Sequence, residues 1–166
     1  MLSQLVPLIL FGIATAFSPG PNNIMISYTT FNFGVRKAIP AMLGVITGWT
    51  LLVIFLQLGS ASVFQRYEFI QVIIKVLGSI YLLYMAYKLS FGGQTKGRKI
   101  DPKPVTFINT FFFQFVNPKS IIVGLTSISL FIDTENNYLR DSIILTLLWF
   151  LMAVGSQTSW CLMGKY

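Results

Sequence analysis

The chain has 166 residues, of which 54% are hydrophobic and 10% are charged, whereas soluble domains carry roughly 25% charged residues. Together with a mean hydropathy of +0.71, this composition predicts an all-α integral membrane protein and excludes an ordinary soluble domain. With no histidine and one cysteine, Cys161, the chain lacks the residues for a zinc site, a His-based catalytic triad or an internal disulfide.

The net charge of +7 does not indicate a nucleic-acid partner. Nearly all of the basic residues lie in short connections between apolar runs, which is typical of the charge bias that orients membrane helices. We therefore expect the lipid bilayer to surround the chain, and we expect no nucleic acid, metal or cofactor as a partner.

Several apolar runs are long enough to cross a bilayer, which takes about 20 residues as a helix. We place five spans, at residues 4–32, 38–59, 69–90, 106–132 and 140–163. The first and fourth are predicted to be broken helices, because helix-breaking residues interrupt their apolar runs.

The break in the first span consists of Ser18, Pro19, Gly20, Pro21, Asn22 and Asn23. Proline removes a backbone donor and glycine adds flexibility, so a helix has to break or unwind here. In lipid, such backbone is tolerated only where protein or a water-filled cavity satisfies the freed polar groups. The hexapeptide therefore predicts a binding site near residue 20.

The break in the fourth span consists of Asn117, Pro118 and Lys119. Lys119 lies about thirteen residues into the span, or ~20 Å at about 1.5 Å per residue, which is too deep for easy escape to the interface. A charge at that depth indicates a functional site. Gln114 shares a helical face with Asn117. The alternative is a proline kink whose polar residues pack against neighbouring helices.

The two breaks lie at similar depths, and three spans separate the starts of the two broken helices. Paired interrupted spans in an inverted repeat indicate the midplane binding site of a transporter. We divide the chain into a three-helix repeat (1–90), a basic loop (91–104) and an incomplete two-helix repeat (105–166). A three-plus-three repeat needs a sixth span, so we expect either truncation or a partner, for example in a homodimer.

Basic residues are distributed unequally between the two sides of the predicted bundle. One side carries Arg36, Lys37, Lys88, Lys96, Arg98, Lys99, Lys103 and Lys165, and the other carries Arg66 and Arg140. This bias predicts that the N-terminus is outside and that the 91–104 loop is cytoplasmic.

Small and aromatic residues in the spans have packing interpretations. Gly44 and Gly48 form a small-xxx-small pattern, which favours close helix packing over ligand contact. Trp49, Trp149 and Trp160 are more typical of packing or interface anchors than of an aromatic cage.

A set of short motifs occurs in a fixed order along nearly the whole chain. They are residues 15–22 in the first span, Gly34, Gly44 and Gly48 around the second, residues 75–78 with Tyr81 and Leu82 in the third, and residues 114–119 in the fourth. In this set the chain resembles the LysE/RhtB amino-acid exporter family. Residues 21–24, 104–107 and 160–164 resemble its cysteine/O-acetylserine exporter subgroup. Members of that subgroup continue for about one more span, which favours truncation.

The resemblance implies a LysE-type fold in the bacterial inner membrane. It also implies export of small neutral amino acids, of the cysteine/O-acetylserine or homoserine/threonine type, driven by the proton-motive force. We expect the half-helix starting at Pro21 to present free N–H groups to the substrate carboxylate. Asn22, Asn23 and Lys119 would assist it. The ammonium group is left to carbonyls freed at either break, or to Asn117 and Gln114.

Proton coupling and transport activity leave alternatives open. All acidic residues lie at span ends or in loops, at Glu68, Asp101, Asp133, Glu135 and Asp141. The proton carrier is therefore Lys119, the substrate itself or a group in the missing span. A membrane enzyme is disfavoured because paired carboxylates, histidines and an activated nucleophile are lacking. A non-transporting remnant or interaction subunit is the alternative to a transporter.

Overall fold

The computed structural model describes residues 4–66, 69, 73, 103–132 and 137–166 of the chain, with the backbone alone at 60–66. Nearly all of the predicted third span and of the basic 91–104 loop therefore lies outside the described residues, as does Lys75. The division of the chain into two repeats and a loop stays a prediction.

The described part of the chain is helical and contains no strand. Its helices are α1 (Leu5–Ala16), α2 (Pro21–Phe33), α3 (Val35–Arg66), α4 (Phe107–Val116), α5 (Pro118–Phe131) and α6 (Tyr138–Met163). Two helical stretches, Val35–Gly59 and Tyr138–Met163, are long and apolar enough to cross a membrane. The pairs α1–α2 and α4–α5 also qualify, each as one span bent by 52° and 58° respectively.

These helices confirm the all-α membrane class and give up to four spans in the described residues, at the predicted first, second, fourth and fifth positions. The five-span count and the inverted repeat stay predictions. Helix α3 continues beyond the predicted end at residue 59 as far as Arg66. The reason is local, since residues 60–66 contain neither proline nor glycine to end a helix.

The two breaks have the same local design. Gly20 is extended, with φ −170° and ψ 172°, and Pro21 is the first residue of α2. Asn117 is extended, with φ −78° and ψ 110°, and Pro118 is the first residue of α5. Proline suits a first-turn position because its missing N–H would have no partner there. In each span the second half-helix therefore restarts at a proline, which the sequence predicts for Pro21.

Helix α3 packs closely against α4 along its glycines. A Cβ on Gly44 would overlap the Phe107 carbonyl oxygen, and one on Gly48 would lie 2.6 Å from the carbonyl oxygen of Phe111. Thr110 Oγ1 donates to the Ala41 carbonyl across the same contact, at 2.9 Å. The packing interpretation of the glycine pattern is confirmed.

Helix α6 forms the wall that faces the two broken spans. Its buried stripe includes Leu145, Trp149, Ala153 and Gln157, whose spacing puts them on one side of the helix. Trp149 packs edge-on against Trp49 of α3, with ring centroids 5.1 Å apart. Large apolar side chains on the outer surface, such as those of α3, remain exposed, as a helix in lipid requires.

Candidate functional site

A cavity of about 70 Å³ lies where the two breaks meet. One water molecule needs about 10–15 Å³, so the cavity has room for several water-sized groups. From the breaks it is lined by Gly20, Pro21, Asn22, Asn23, Asn117 and Lys119. From α6 it is lined by Trp149, Ala153, Ser156 and Gln157. None of the described residues that line the cavity is acidic, and Lys119 is the one ionisable side chain among them.

Lys119 connects the second break to the first. Its Nζ donates to Ser18 Oγ at 2.8 Å and to the Ser18 carbonyl oxygen at 3.1 Å, with the Pro19 carbonyl at 3.5 Å. These oxygens satisfy the ammonium hydrogens without neutralising the charge. The side chain therefore leaves a positive charge at the cavity.

Gly20 makes room for that contact. A Cβ at Gly20 would lie 2.9 Å from Lys119 Nζ and 3.2 Å from its Cδ. The backbone of Gly20 is extended, so any residue type tolerates its conformation. The requirement for glycine here is thus steric, because a side chain would displace the tip of Lys119.

Asn22 and Gln114 form a reciprocal amide pair between the two broken spans. Asn22 Nδ2 donates to Gln114 Oε1 at 2.8 Å, and Gln114 Nε2 donates to Asn22 Oδ1 at 3.0 Å. Gln114 Nε2 also donates to the Thr110 carbonyl at 2.8 Å, and Gln114 Oε1 accepts from Ser120 Oγ at 3.1 Å. Gln114 is fully buried and does not line the cavity, so it orients Asn22.

Asn23 stabilises the first break. Its Nδ2 donates to the carbonyl oxygens of Ala16 and Ser18, each at 2.9 Å. Its Oδ1 accepts from Gln157 Nε2 of α6 at 3.0 Å. Carbonyls that lose their helical partners at the break are thereby paired inside the protein, as an interrupted span requires.

The two half-helices differ at their N-termini. In α5, Asn117 Oδ1 caps the helix by accepting from the Lys119 backbone N–H at 3.1 Å. In α2, Gly20 offers no side chain, Pro21 has no N–H, and no side chain caps the first turn. The positive end of the α2 dipole is thus left open at the cavity, together with the backbone N–H groups of Asn22 and Asn23.

Helix α6 supplies site residues that the sequence prediction missed. Trp149 Nε1 and Gln157 Oε1 are buried and have no hydrogen-bond partner in the described structure. A buried polar atom without a partner costs about 1–3 kcal/mol. The available signal was the polar pair Ser156 and Gln157, which lies on the same stripe as Trp149 within an apolar run.

The structure brings all ten predicted site residues together around the two breaks. Six of them line the cavity, and Ser18, Pro19 and Gln114 contact residues that do. Pro118 starts α5 next to them. Their role in binding a substrate stays a prediction.

Interrupted apolar helices that meet at a shared cavity are typical of membrane transporters. The chain belongs to the LysE type translocator family, which matches residues 13–163. It is therefore a multi-pass membrane transport protein and not an enzyme.

Three similar proteins share one name. The chain is 32% identical over 157 residues to the cysteine/O-acetylserine efflux proteins of Salmonella paratyphi A and Salmonella typhimurium. It is 27% identical over 155 residues to the protein of that name from Escherichia coli. Each comparison covers 93% of this chain and 78% of the relative. No solved structure matches the chain.

Proposed function

We propose that the protein exports small neutral amino acids, such as cysteine or O-acetylserine, across the bacterial inner membrane through this cavity. One observation carries the proposal. Lys119 and the uncapped N-terminus of α2 border the same cavity, whose lining residues include no carboxylate. The efflux activity named for the relatives supports the same class of substrate.

The substrate carboxylate binds between the second break and the start of α2. Its oxygens replace Ser18 as acceptors for Lys119 Nζ and also accept from the free first-turn amides of α2. Both contacts favour negative charge, one through a point charge and the other through the helix dipole. Asn22, held by Gln114, borders this position.

The cavity favours small neutral side chains. Val45, Trp49 and Ala153 supply apolar walls, and the volume of about 70 Å³ limits the size of the substrate. An amino acid with a cationic side chain finds no acidic partner among the lining residues, all of which the structure describes. The positive charge of Lys119 also disfavours such a substrate by repulsion.

The proton-motive force drives export in this proposal, and three carriers stay open. Lys119 is the ionisable group at the cavity, and the substrate or a group outside the described residues is the alternative. Asp141 is buried but lies in the first turn of α6, where Arg140 Nε donates to it at 3.0 Å. It therefore lies two turns before the cavity residue Trp149.

The test is amino-acid efflux from cells that express the chain. Lys119→Met removes a charge-assisted hydrogen bond of about 1.5–3 kcal/mol, so we expect cysteine efflux to fall by roughly 10–100-fold. Asn22→Ala is expected to lower efflux as well. Lys37→Met is the matched control, since Lys37 is exposed at the start of α3. Normal efflux in both cavity variants would reject this site.

The same assay separates transport from the alternative function. A wild-type chain that inserts into the membrane but exports neither cysteine nor O-acetylserine would favour a non-transporting membrane subunit. Insertion is measured by recovery of the chain in the membrane fraction.

A further inference from the structure

An amino-acid zwitterion in this cavity needs an acceptor for its ammonium group. The described residues that line the cavity include no carboxylate, so a neutral oxygen has to serve. A donor such as the indole N–H of Trp149 is unsuitable, because an ammonium group itself only donates. The choice is therefore among the side-chain oxygens at the cavity and the backbone carbonyls.

Most of those side-chain oxygens already have partners. Asn22 Oδ1 accepts from Gln114 Nε2 at 3.0 Å, and Asn117 Oδ1 accepts from the Lys119 backbone N–H at 3.1 Å. Ser156 Oγ donates to the Ala16 carbonyl at 2.7 Å, and the Ser18 carbonyl already serves Asn23 and Lys119. An ammonium group at any of these oxygens would have to share a group that already takes part in a contact of the breaks.

Gln157 is different, because its side-chain oxygen has no partner. The residue is 4% exposed and lines the cavity, and Oε1 is a buried acceptor without a hydrogen bond. Buried polar groups are almost always paired, so an unpaired one on a cavity wall indicates a ligand.

The neighbouring network fixes which end of the Gln157 amide is the oxygen. Asn23 uses its Nδ2 to donate to two carbonyls, so its Oδ1 faces α6. Only the nitrogen of Gln157 is able to donate to that oxygen, at 3.0 Å. The free end is consequently Oε1.

We propose that Gln157 Oε1 accepts a hydrogen bond from the ammonium group of the substrate. The inference rests on the proposed function, in which the cavity binds an amino-acid zwitterion. The carboxylate and the ammonium group are then held by different parts of the protein, the breaks and α6. Gln157 thus has two roles. Its Nε2 stabilises the first break by donating to Asn23, and its Oε1 binds the ligand.

The experiment compares cysteine with two analogues, each of which lacks one of its two charged groups. The full chain in proteoliposomes exchanges labelled L-cysteine, and the competitors are L-cysteine, 3-mercaptopropionate, which lacks the ammonium group, and cysteamine, which lacks the carboxylate. A site built to hydrogen-bond a substrate group rejects an analogue without it, so we expect wild type to prefer cysteine over each analogue by roughly tenfold or more.

Two substitutions separate the ammonium and carboxylate sites. Gln157→Met is expected to abolish the preference for cysteine over 3-mercaptopropionate and to keep the preference over cysteamine. Lys119→Met is expected to abolish the preference over cysteamine and to keep the preference over 3-mercaptopropionate. Gln57→Met is the matched control, because Gln57 is a buried glutamine that bonds Thr146 Oγ1 at 3.3 Å and does not line the cavity.

Gln157→Glu distinguishes ligand contact from a structural role. It loses the same donor to Asn23 as Gln157→Met but keeps an oxygen acceptor. If Oε1 binds the ammonium group, Gln157→Glu retains the preference over 3-mercaptopropionate. If Gln157→Met fails to fold, the same preference measured in Gln157→Glu still tests the proposal.

Two results would overturn the assignment of Gln157: an unchanged preference in Gln157→Met, or its loss in Gln157→Glu. A wild-type chain that exchanges no cysteine would overturn both proposals. If Lys119→Met keeps the preference for cysteine over cysteamine while the Gln157 variants behave as expected, the carboxylate site is rejected and the assignment of Gln157 stands.

Discussion

Lys119 is a cation in a broken apolar span, and among the described residues its ammonium group is bonded by neutral oxygens alone. Ser18 contributes both of its oxygens to Nζ, at 2.8 and 3.1 Å. Carbonyl and hydroxyl dipoles reduce the cost of burying the charge, and the charge itself stays available for an anion. This is the arrangement that a carboxylate site requires, and a salt bridge at the same position would abolish it.

The first prediction at the residue scale concerns Gly20. A Cβ there lies 2.9 Å from Lys119 Nζ, so Gly20→Ala is expected to displace the ammonium group and raise the KM for cysteine exchange. We expect about a tenfold effect, as for the loss of one hydrogen bond to a charged group, about 1.5 kcal/mol. Gly155→Ala is the matched control, because its Cβ makes an ordinary contact of 3.6 Å with Phe17. Equal KM values for both variants would contradict the steric role of Gly20.

The second prediction at this scale concerns the amide pair. Asn22 and Gln114 exchange two hydrogen bonds, at 2.8 and 3.0 Å, between the two broken spans. A double-mutant cycle of Asn22→Ala and Gln114→Ala, followed by reversible unfolding in detergent, is expected to give a coupling free energy of about 1–2 kcal/mol. Simple additivity of the two single changes would show that the pair does not join the spans.

At the scale of elements, each broken span is two half-helices joined at an extended residue before a proline. Backbone groups freed at the first break are paired by Asn23, Ser156 and Lys119, which come from three different helices. The first break is therefore completed by the assembled bundle, because only Asn23 of these three partners lies close to the break in sequence.

The close contact of α3 with α4 yields a third prediction. A Cβ on Gly48 lies 2.6 Å from a backbone oxygen of α4, which cannot move like a side-chain end. Gly48→Ala is expected to lower the free energy of unfolding by about 1–3 kcal/mol, the usual range for overpacking. Gly59→Ala on the same helix meets nothing within 4 Å, so it is expected to be neutral or to stabilise by up to about 1 kcal/mol. Equal effects of the two changes on unfolding in detergent would contradict the packing role.

At the scale of the whole molecule, residues of α1, α2, α3, α5 and α6 line the cavity. Val45 and Trp49 come from α3, and Trp149, Ala153 and Gln157 come from α6. The polar groups of the breaks face these apolar walls, and a lower local dielectric strengthens their electrostatic contacts.

A fourth prediction tests the orientation of the molecule. The only cysteine, Cys161, is buried, so the natural chain is a low-background host for introduced cysteines. With the N-terminus outside and the 91–104 loop cytoplasmic, a membrane-impermeant maleimide is expected to label Thr134→Cys in intact cells. Thr95→Cys is expected to react only after lysis. The unsubstituted chain is the control, and labelling of Thr95→Cys in intact cells would reverse the predicted topology.

How far the sequence predicts the site is clear from two residues. Lys119 lies at the second break, as the sequence predicts, because helix-breaking residues are identified from the chain itself. Gln114 was assigned to the substrate ammonium as one alternative, yet it is fully buried against Asn22, Thr110 and Ser120. Its partner Asn22 is distant in sequence, and no local pattern indicates such a contact.

Composition and the backbone chemistry of proline and glycine predict the membrane class, the two breaks and the proline that starts α2. The helix that faces the breaks is known from the tertiary structure. Gln157 and Asp141 are both buried residues of α6, although the first is a polar residue within a span and the second lies at a span end. Periodicity gives the face of a helix, but the neighbour that this face meets is fixed by packing of the whole bundle.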